Sequence, residues 1–359
     1  MSDTAHPLLP TSTPVLHRGA GEVQIGGVDS TDGLLVSPGS GELTALLRGL
    51  DGRRAQRAVL ADATRAGLDP AAVGTLLEGL RATGLLVDLE AADLLAADAG
   101  PAAAARAAAE LPAALSGASS GAGWHARRRA AVVVEGATRV GVPLAAVLAA
   151  SGVGRVSIRD AGVTTAGDAV VGGLTADDEG RPRSLAAADA VRRANPLTDL
   201  RPLPAGSPSD LVVLARPWAA SDPLAAELQR SGIPHLVADV RGRTGVVGPL
   251  VVPGVTSCLR CADLHRRDAD PHWPALAAQL TAGEPPPGGA TVTCLLTAVT
   301  AALQALAYLD GAGSPATLGA TVELHPPELA PRLRPWPPHP ACRCVGAPAA
   351  GPDDPVRGA

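Results

Sequence analysis

The sequence has no phenylalanine and no lysine, and only one tyrosine (Tyr308), one asparagine (Asn195) and one methionine. A chain this poor in aromatic anchors must build its core from Leu, Val and Ala. The pattern is that of a coding bias against AT-rich codons, so an Arg where Lys is usual reflects composition first. Basic charge is also short: 30 Lys and Arg face 35 Asp and Glu, for a net charge of −5. That excludes a broad cationic footprint for nucleic acid. No stretch is read as a membrane span. The N-terminus MSDTAHPLLP lacks the basic and apolar regions of a signal peptide. The expected location is therefore the cytoplasm, where five cysteines make a poor disulfide set.

What is present is 359 residues, 46% hydrophobic, enough for two or three domains with sizeable cores. Residues 1–14 read as loose. Residues 15–28 read as a hairpin around Gly19–Gly21, followed by helices over 41–50, 53–66 and 70–83 and a short strand at 84–88. This β-β-α-α-α-β order is that of a small winged-helix domain, expected over 1–89. An Ala/Gly/Ser-rich linker is expected over 90–125.

From 130 the texture changes to alternating strands and helices: strands at 130–134, 155–159, 210–215 and 235–239, helices at 142–152, 183–194 and 222–231. That alternation predicts an α/β domain over 126–346 with a mainly parallel, Rossmann-like sheet covered on both faces. A long apolar helix fits 291–309 and late, antiparallel strands fit 316–324. A disordered tail is expected over 347–359.

Two constellations carry chemistry. Cys258-x-x-Cys261 and Cys342-x-Cys344 are two tight pairs separated by 81 positions. Thiolates so spaced, on a turn, face one ion, and Zn²⁺ takes four such donors in a tetrahedron. A fully ligated site has no open position, so the zinc is expected to be structural, tying the chain end to the sheet. His265 and His339 are alternatives for one ligand, and four free thiols are the reading without metal. Cys294, inside the apolar helix, reads as a small buried hydrophobe, with a catalytic thiol as the alternative.

The second constellation is the turn after the first parallel strand, Gly136-x-Thr138-x-x-Gly141, with Asp160 at the end of the next strand, 24 positions after Gly136. It resembles the dinucleotide fingerprint with its middle glycine replaced. It binds a nucleotide phosphate at the helix N-terminus or is a plain strand-to-helix turn. In the front domain, the third helix carries a single Arg and a Glu, a poor reader of the DNA groove. Capture of a peptide strand on the hairpin edge, Glu22–Gly26, beside helix 70–83 is favoured. Arg81 and Arg53 are candidate contacts for acidic peptide residues, with a solvated surface position as the favoured alternative for each. A purely structural domain and a DNA-binding one remain open.

Residues 130–345 resemble the ThiF-like adenylyltransferase superfamily, relatives of ubiquitin-activating enzymes. The resemblance rests on VVVEGATRVG, ASGVGRVSIRD, Asp178-Glu-Gly-Arg-Pro-Arg183-Ser, Arg193-Ala-Asn195-Pro196 and the closing CxxC…HPxCxC. The block 247–280 is similar to ThiF-like partner proteins of thiazole/oxazole-modified peptide clusters. Residues 7–88 resemble the PqqD-like leader-recognition winged helix fused to them. The resemblance implies a ThiF fold, ATP with Mg²⁺, an acyl adenylate on a peptide carboxylate, and a homodimer. It places ribose on Asp160, phosphate on Arg183 and nucleotide against Gly136, Thr138 and Gly141.

Several expected groups are missing. Gly-Asp-Ala-Val-Val stands at 167–171 in place of an Asn-Leu-x-Arg-Gln stretch, Ala161 and Gly162 follow Asp160, and Ala215-Arg216-Pro217 replaces an Asp. Losing several such contacts argues against adenylation and against bound ATP and Mg²⁺. The expectation is therefore a leader-binding adaptor that presents a precursor peptide to a partner enzyme such as a cyclodehydratase. The alternatives are a working adenylyltransferase, a nicotinamide-dependent reductase and a winged-helix DNA regulator.

Overall fold

A computed structural model describes residues 5–10, 12–19, 21–28, 33–89, 110, 122–204, 207–217, 222–281, 288–311, 313–328 and 330–344. The expected linker, apart from residues 110 and 122–125, and the expected tail lie outside these. The chain divides into two compact units, Met1–Ala126 and Arg127–Ala359.

In the first unit, β1 (His6–Leu8) pairs antiparallel with β5 (Val87–Leu89), the last strand before residue 90. Strands β2 (Val15–Arg18), β3 (Glu22–Ile25) and β4 (Leu34–Val36) form a separate antiparallel sheet in the order β2-β3-β4. Helices α1 (Gly41–Arg48), α2 (Gln56–Arg65) and α3 (Pro70–Ala82) follow. The Ser40 hydroxyl caps α1 by accepting the Leu43 N–H, and Asp69 caps α3 by accepting that of Ala71. Alternation in β3 turns Val23 and Ile25 inward, where they meet Leu47, Leu77 and Leu80, all fully buried.

One expectation is overturned. Glu22–Gly26 is not an edge, because β4 pairs with its far side and makes β3 the central strand. The three residues of β4 lie between Gly33 and Pro38 and carry no alternation long enough to read.

The second unit is built on one seven-stranded sheet. Its elements are α4 (Ala122–Arg129, which begins before the unit), β6 (Ala131–Glu135), α5 (Gly141–Ala150), β7 (Arg155–Arg159), α6 (Arg183–Ala194), β8 (Leu211–Leu214) and α7 (Pro223–Arg230). Then come β9 (His235–Arg241), β10 (Thr244–Val251), α8 (Leu259–Ala269), α9 (Trp273–Thr281), α10 (Thr291–Asp310), β11 (Ala320–Leu324) and β12 (Arg332–Pro335). The sheet order is β12-β11-β10-β9-β8-β6-β7. The strands β7, β6, β8 and β9 run parallel, and β10, β11 and β12 extend the sheet antiparallel. Helices α5, α6 and α10 cover one face and α7 and α8 the other.

The apolar run of α10 is long and apolar enough to cross a membrane by length and composition, which amends the sequence reading. Here Cys294, Ala298, Ala301, Ala302 and Ala305 pack into the core beneath the sheet. The end of α10 is pinned by a buried fork between Arg127 and Asp310, with Nε to Oδ1 at 2.8 Å.

Candidate functional site

The carboxyl ends of the parallel strands open onto a cavity of about 670 Å³. This is where an open α/β sheet ordinarily binds its ligand. Strand β6 delivers the chain into the glycine turn. Gly136 has φ +112°, and a Cβ there would stand 2.8 Å from the Ala215 carbonyl oxygen. At Gly141 a Cβ would come within 2.1 Å of the Gly136 carbonyl oxygen. Both glycines are therefore required for the turn itself. Gly136 and Thr138 line the cavity; Gly141 is not part of the lining and serves the close packing behind it.

The N–H groups of Gly136, Ala137, Val140 and Gly141 in this turn are already used. The Thr138 hydroxyl donates to the Ala215 carbonyl (2.8 Å) and accepts the N–H groups of Gly141 (3.0 Å) and Val140 (3.3 Å). It thereby caps the helix end that would otherwise face an anion. Asp160 accepts the Ala137 N–H at 2.8 Å and the Gly162 N–H at 2.7 Å. Arg183, buried at the start of α6, points at Asp168 (3.2 Å) and Asp160 (3.9 Å).

The other arginines lining the cavity are also engaged. Arg159 meets Glu135 at 3.2 Å, and Arg216 meets Asp222 at 2.9 Å. Arg139 donates to the Gly167 carbonyl and the Thr291 hydroxyl. Burial pushes the Glu135 carboxyl up against the opposing pull of Arg159. Burial likewise raises the carboxyl of Asp239, at the end of β9.

Behind the sheet, the two cysteine pairs meet. Cys258 precedes α8 and Cys261 lies in its first turn, so the first pair sits on a helix start rather than a free turn. The Sγ atoms are separated by 4.0 Å (Cys258–Cys261), 3.6 Å (Cys258–Cys342) and 3.4 Å (Cys261–Cys344), and all four lie within 4.8 Å of one another. Disulfide sulfurs stand about 2.05 Å apart. Bonds of about 2.3 Å from a tetrahedral Zn²⁺ put sulfurs about 3.8 Å apart. The donor set and spacing fit a four-thiolate metal site, and the cluster could hold an ion.

Burial pushes the Cys258 thiol well up and that of Cys344 up to about 11, so a cation is what would draw out thiolates here. The His339 N–H points at the Cys261 sulfur at 3.3 Å. The ring of His339 is not a ligand: its Nδ1 accepts the Ala341 N–H and its Nε2 meets Asp268 at 2.8 Å. Nor does His265 approach as one; its Nε2 faces the Pro337 carbonyl at 3.0 Å. The returning segment is held by Ser257, whose hydroxyl donates to the Trp336 carbonyl, and by Arg266, lodged between Trp336 and Trp273.

The sequence profile of the ThiF family matches residues 118–344, more than half of the chain. The chain belongs to the ThiF family. No curated protein matches it. Among solved structures, this ThiF-family chain is similar to Escherichia coli MccB with ATP, at TM-score 0.60 and 15% identity over 95% of this chain and 99% of that one. It is similar to the microcin C7 biosynthetic enzyme MccB in complex with N-formylated MccA, at TM-score 0.59 and 14% identity over the same shares. It is also similar to PaaA, at TM-score 0.56 and 16% identity over 90% of this chain and 98% of that one. At such identities the likeness is one of fold.

Six charged residues of this ThiF-family chain that line the cavity escaped the sequence: Glu135, Arg139, Arg159, Asp168, Arg216 and Asp239. Only Asp168 had a signal, since Thr165-x-x-Asp168 is a capping box whose carboxylate accepts the Thr165 N–H and hydroxyl. Cys294 is buried, with its thiol raised by burial and pointed at the Gly288 carbonyl. In the first unit, Arg81 forks Asp88 (2.7 and 2.8 Å) and meets Gln56 (2.6 Å), which corrects its reading as a contact offered to a peptide. Arg53 is exposed.

Proposed function

We propose that this chain is a peptide-binding adaptor that has kept the ThiF fold without its adenylating chemistry. It holds the leader of a ribosomal precursor peptide and presents the rest to a partner enzyme such as a cyclodehydratase. The observation that carries this reading is the crevice filled by the chain's own groups. Thr138 takes the N–H groups of the helix end, Asp160 takes that of Ala137, and Arg183 faces two carboxylates. A triphosphate entering there would have to displace these bonds, and among the described arginines of the cavity wall only Arg139 has no described carboxylate paired with it, being held by the Gly167 carbonyl and the Thr291 hydroxyl.

The first unit is the peptide reader, a PqqD-like winged helix. The Gly26 N–H donates to the Pro14 carbonyl, which sets the alternation across the sheet. Carried through β3, that alternation turns the N–H and C=O of Leu35 toward the open side of β4. The other edge is less available, because Arg48 donates to the Val15 carbonyl at 2.9 Å. A peptide strand therefore adds to β4. Similarity to MccB in complex with N-formylated MccA supports a peptide as the ligand class. The thiolate cluster holds a structural Zn²⁺ that ties the chain end to α8. Val292, Val299 and Leu303, exposed along α10, support a homodimer through the second unit.

The test is ATP–pyrophosphate exchange with peptides selected by the protein from a display library. The adaptor gives peptide binding without exchange, and peptide-dependent exchange refutes it. A second reading, an active adenylyltransferase, is favoured by the size of the cavity and by Asp160 and Arg183 on its wall. The same assay decides between them.

A further inference from the structure

Cys261, His265 and Asp268 follow one another along a single face of α8, at helical spacing. All of them meet the same returning segment. The Cys261 sulfur accepts the main-chain N–H of His339 at 3.3 Å. His265 Nε2 donates to the Pro337 carbonyl at 3.0 Å, and its ring stands edge-on to that of His339 with centroids 4.8 Å apart. Asp268 Oδ2 lies 2.8 Å from His339 Nε2.

These contacts converge on His339, which is buried. Its Nδ1 accepts the Ala341 N–H at 3.1 Å, so the ring proton sits on Nε2 and is donated to Asp268. Its carbonyl accepts the Cys342 N–H at 2.8 Å, which closes the turn leading into the second cysteine pair. His339 therefore bonds a sulfur of the first pair, sets the approach of the second, and is anchored near the end of the helix that starts at the first. Outer partners of this kind orient metal ligands, and their loss typically lowers metal affinity about 10–100-fold.

We propose that His339 is the positioning residue of the thiolate cluster: anchored on Asp268, it holds the Cys342–Cys344 turn against α8 and so tightens the grip of the four sulfurs on their ion. It acts through Cys261 and Cys342 and is not itself a ligand. The inference rests on the structural-zinc reading proposed above and identifies the Asp268–His339 link as what sets the strength of that site.

The experiment measures zinc affinity by competition with the chromogenic chelator pyridylazoresorcinol. It compares the full-length wild type, Asp268→Ala, Asp268→Asn, His339→Ala and His339→Ala/Asp268→Ala. Affinity is expected to fall at least about tenfold in Asp268→Ala and in His339→Ala, with about one ion per chain still bound when chelator is absent. The double variant is expected to lose no more than His339→Ala, because both changes break the same link. Asp268→Asn keeps an acceptor for Nε2 and is expected to hold zinc as the wild type does. Wild-type affinity in both single Ala variants, losses that add in the double variant, or an Asp268→Asn as weak as Asp268→Ala overturns the proposal. The Asp268 side chain is 54% exposed, so its variants carry the test if His339→Ala fails to fold. A wild type that takes up no zinc refutes the structural-zinc reading and this inference with it, whereas normal uptake with unchanged affinity in the Ala variants refutes the positioning role alone.

Discussion

The hydroxyl oxygen of Thr138 lies 3.0 Å from the Gly141 nitrogen and takes its hydrogen bond, while its own proton goes to the Ala215 carbonyl. One side chain thus closes the glycine turn and ties it to the neighbouring strand end. Thr138→Ala removes a helix cap, and its cost is expected to be about 1 kcal/mol, read from the urea midpoint. No change in midpoint would mean that this bond does not hold the turn.

The metal cluster makes a separate prediction. Cys258→Ser leaves three thiolates, and zinc measured by atomic emission is expected to fall from about one per chain to near zero. Limited proteolysis should then cleave the segment after Trp336, which the cluster and the Arg266 stack hold against α8. Undiminished zinc in the variant would refute the four-thiolate assignment.

The parallel half of the sheet was legible because AVVVE, RVSIR, LVVL and HLVAD are compact apolar runs spaced by helices. Strand β10, TGVVGPLV, was not, since Gly245, Gly248 and Pro249 interrupt its apolar run and a register shift interrupts its pairing with β9. The thiolate cluster was legible because two close cysteine pairs in a chain with so few cysteines have the spacing of metal ligands. The Arg183–Asp168 pair was not, because two charges 15 positions apart look like separate surface residues until the turn at 166–168 brings them together. The exposed edge was misplaced for a similar reason: β4 is only three residues long.

Peptide capture on β4 depends on an outward-facing amide. Leu35→Pro removes that N–H while sparing the bonds that Leu34 and Val36 make to β3. Binding of library-selected peptides is expected to fall at least about tenfold, measured by fluorescence anisotropy with circular dichroism unchanged. Retained affinity in a folded variant would move the peptide to another surface.

Asp239 gives a pH signature. Burial raises its carboxyl above the ordinary value of 3.8, with Arg241 opposing. Between 3.8 and the raised folded value, the unfolded chain has released a proton that the folded chain retains. Stability contributed by this group therefore falls as pH rises through that interval. Asp239→Asn keeps an acceptor for the Val240 N–H and removes the titration. Its urea midpoint is expected to exceed that of the wild type at neutral pH and to match it near pH 3.8. Equal midpoints at neutral pH would contradict this.

Equilibrium dialysis of the full-length protein against radiolabelled Mg·ATP addresses the self-filled crevice most directly. With Thr138, Asp160 and Asp168 each occupying a donor or cation that a nucleotide would need, no saturable binding is expected at millimolar nucleotide. Stoichiometric binding at micromolar concentrations, lost in Arg183→Gln, would contradict the account.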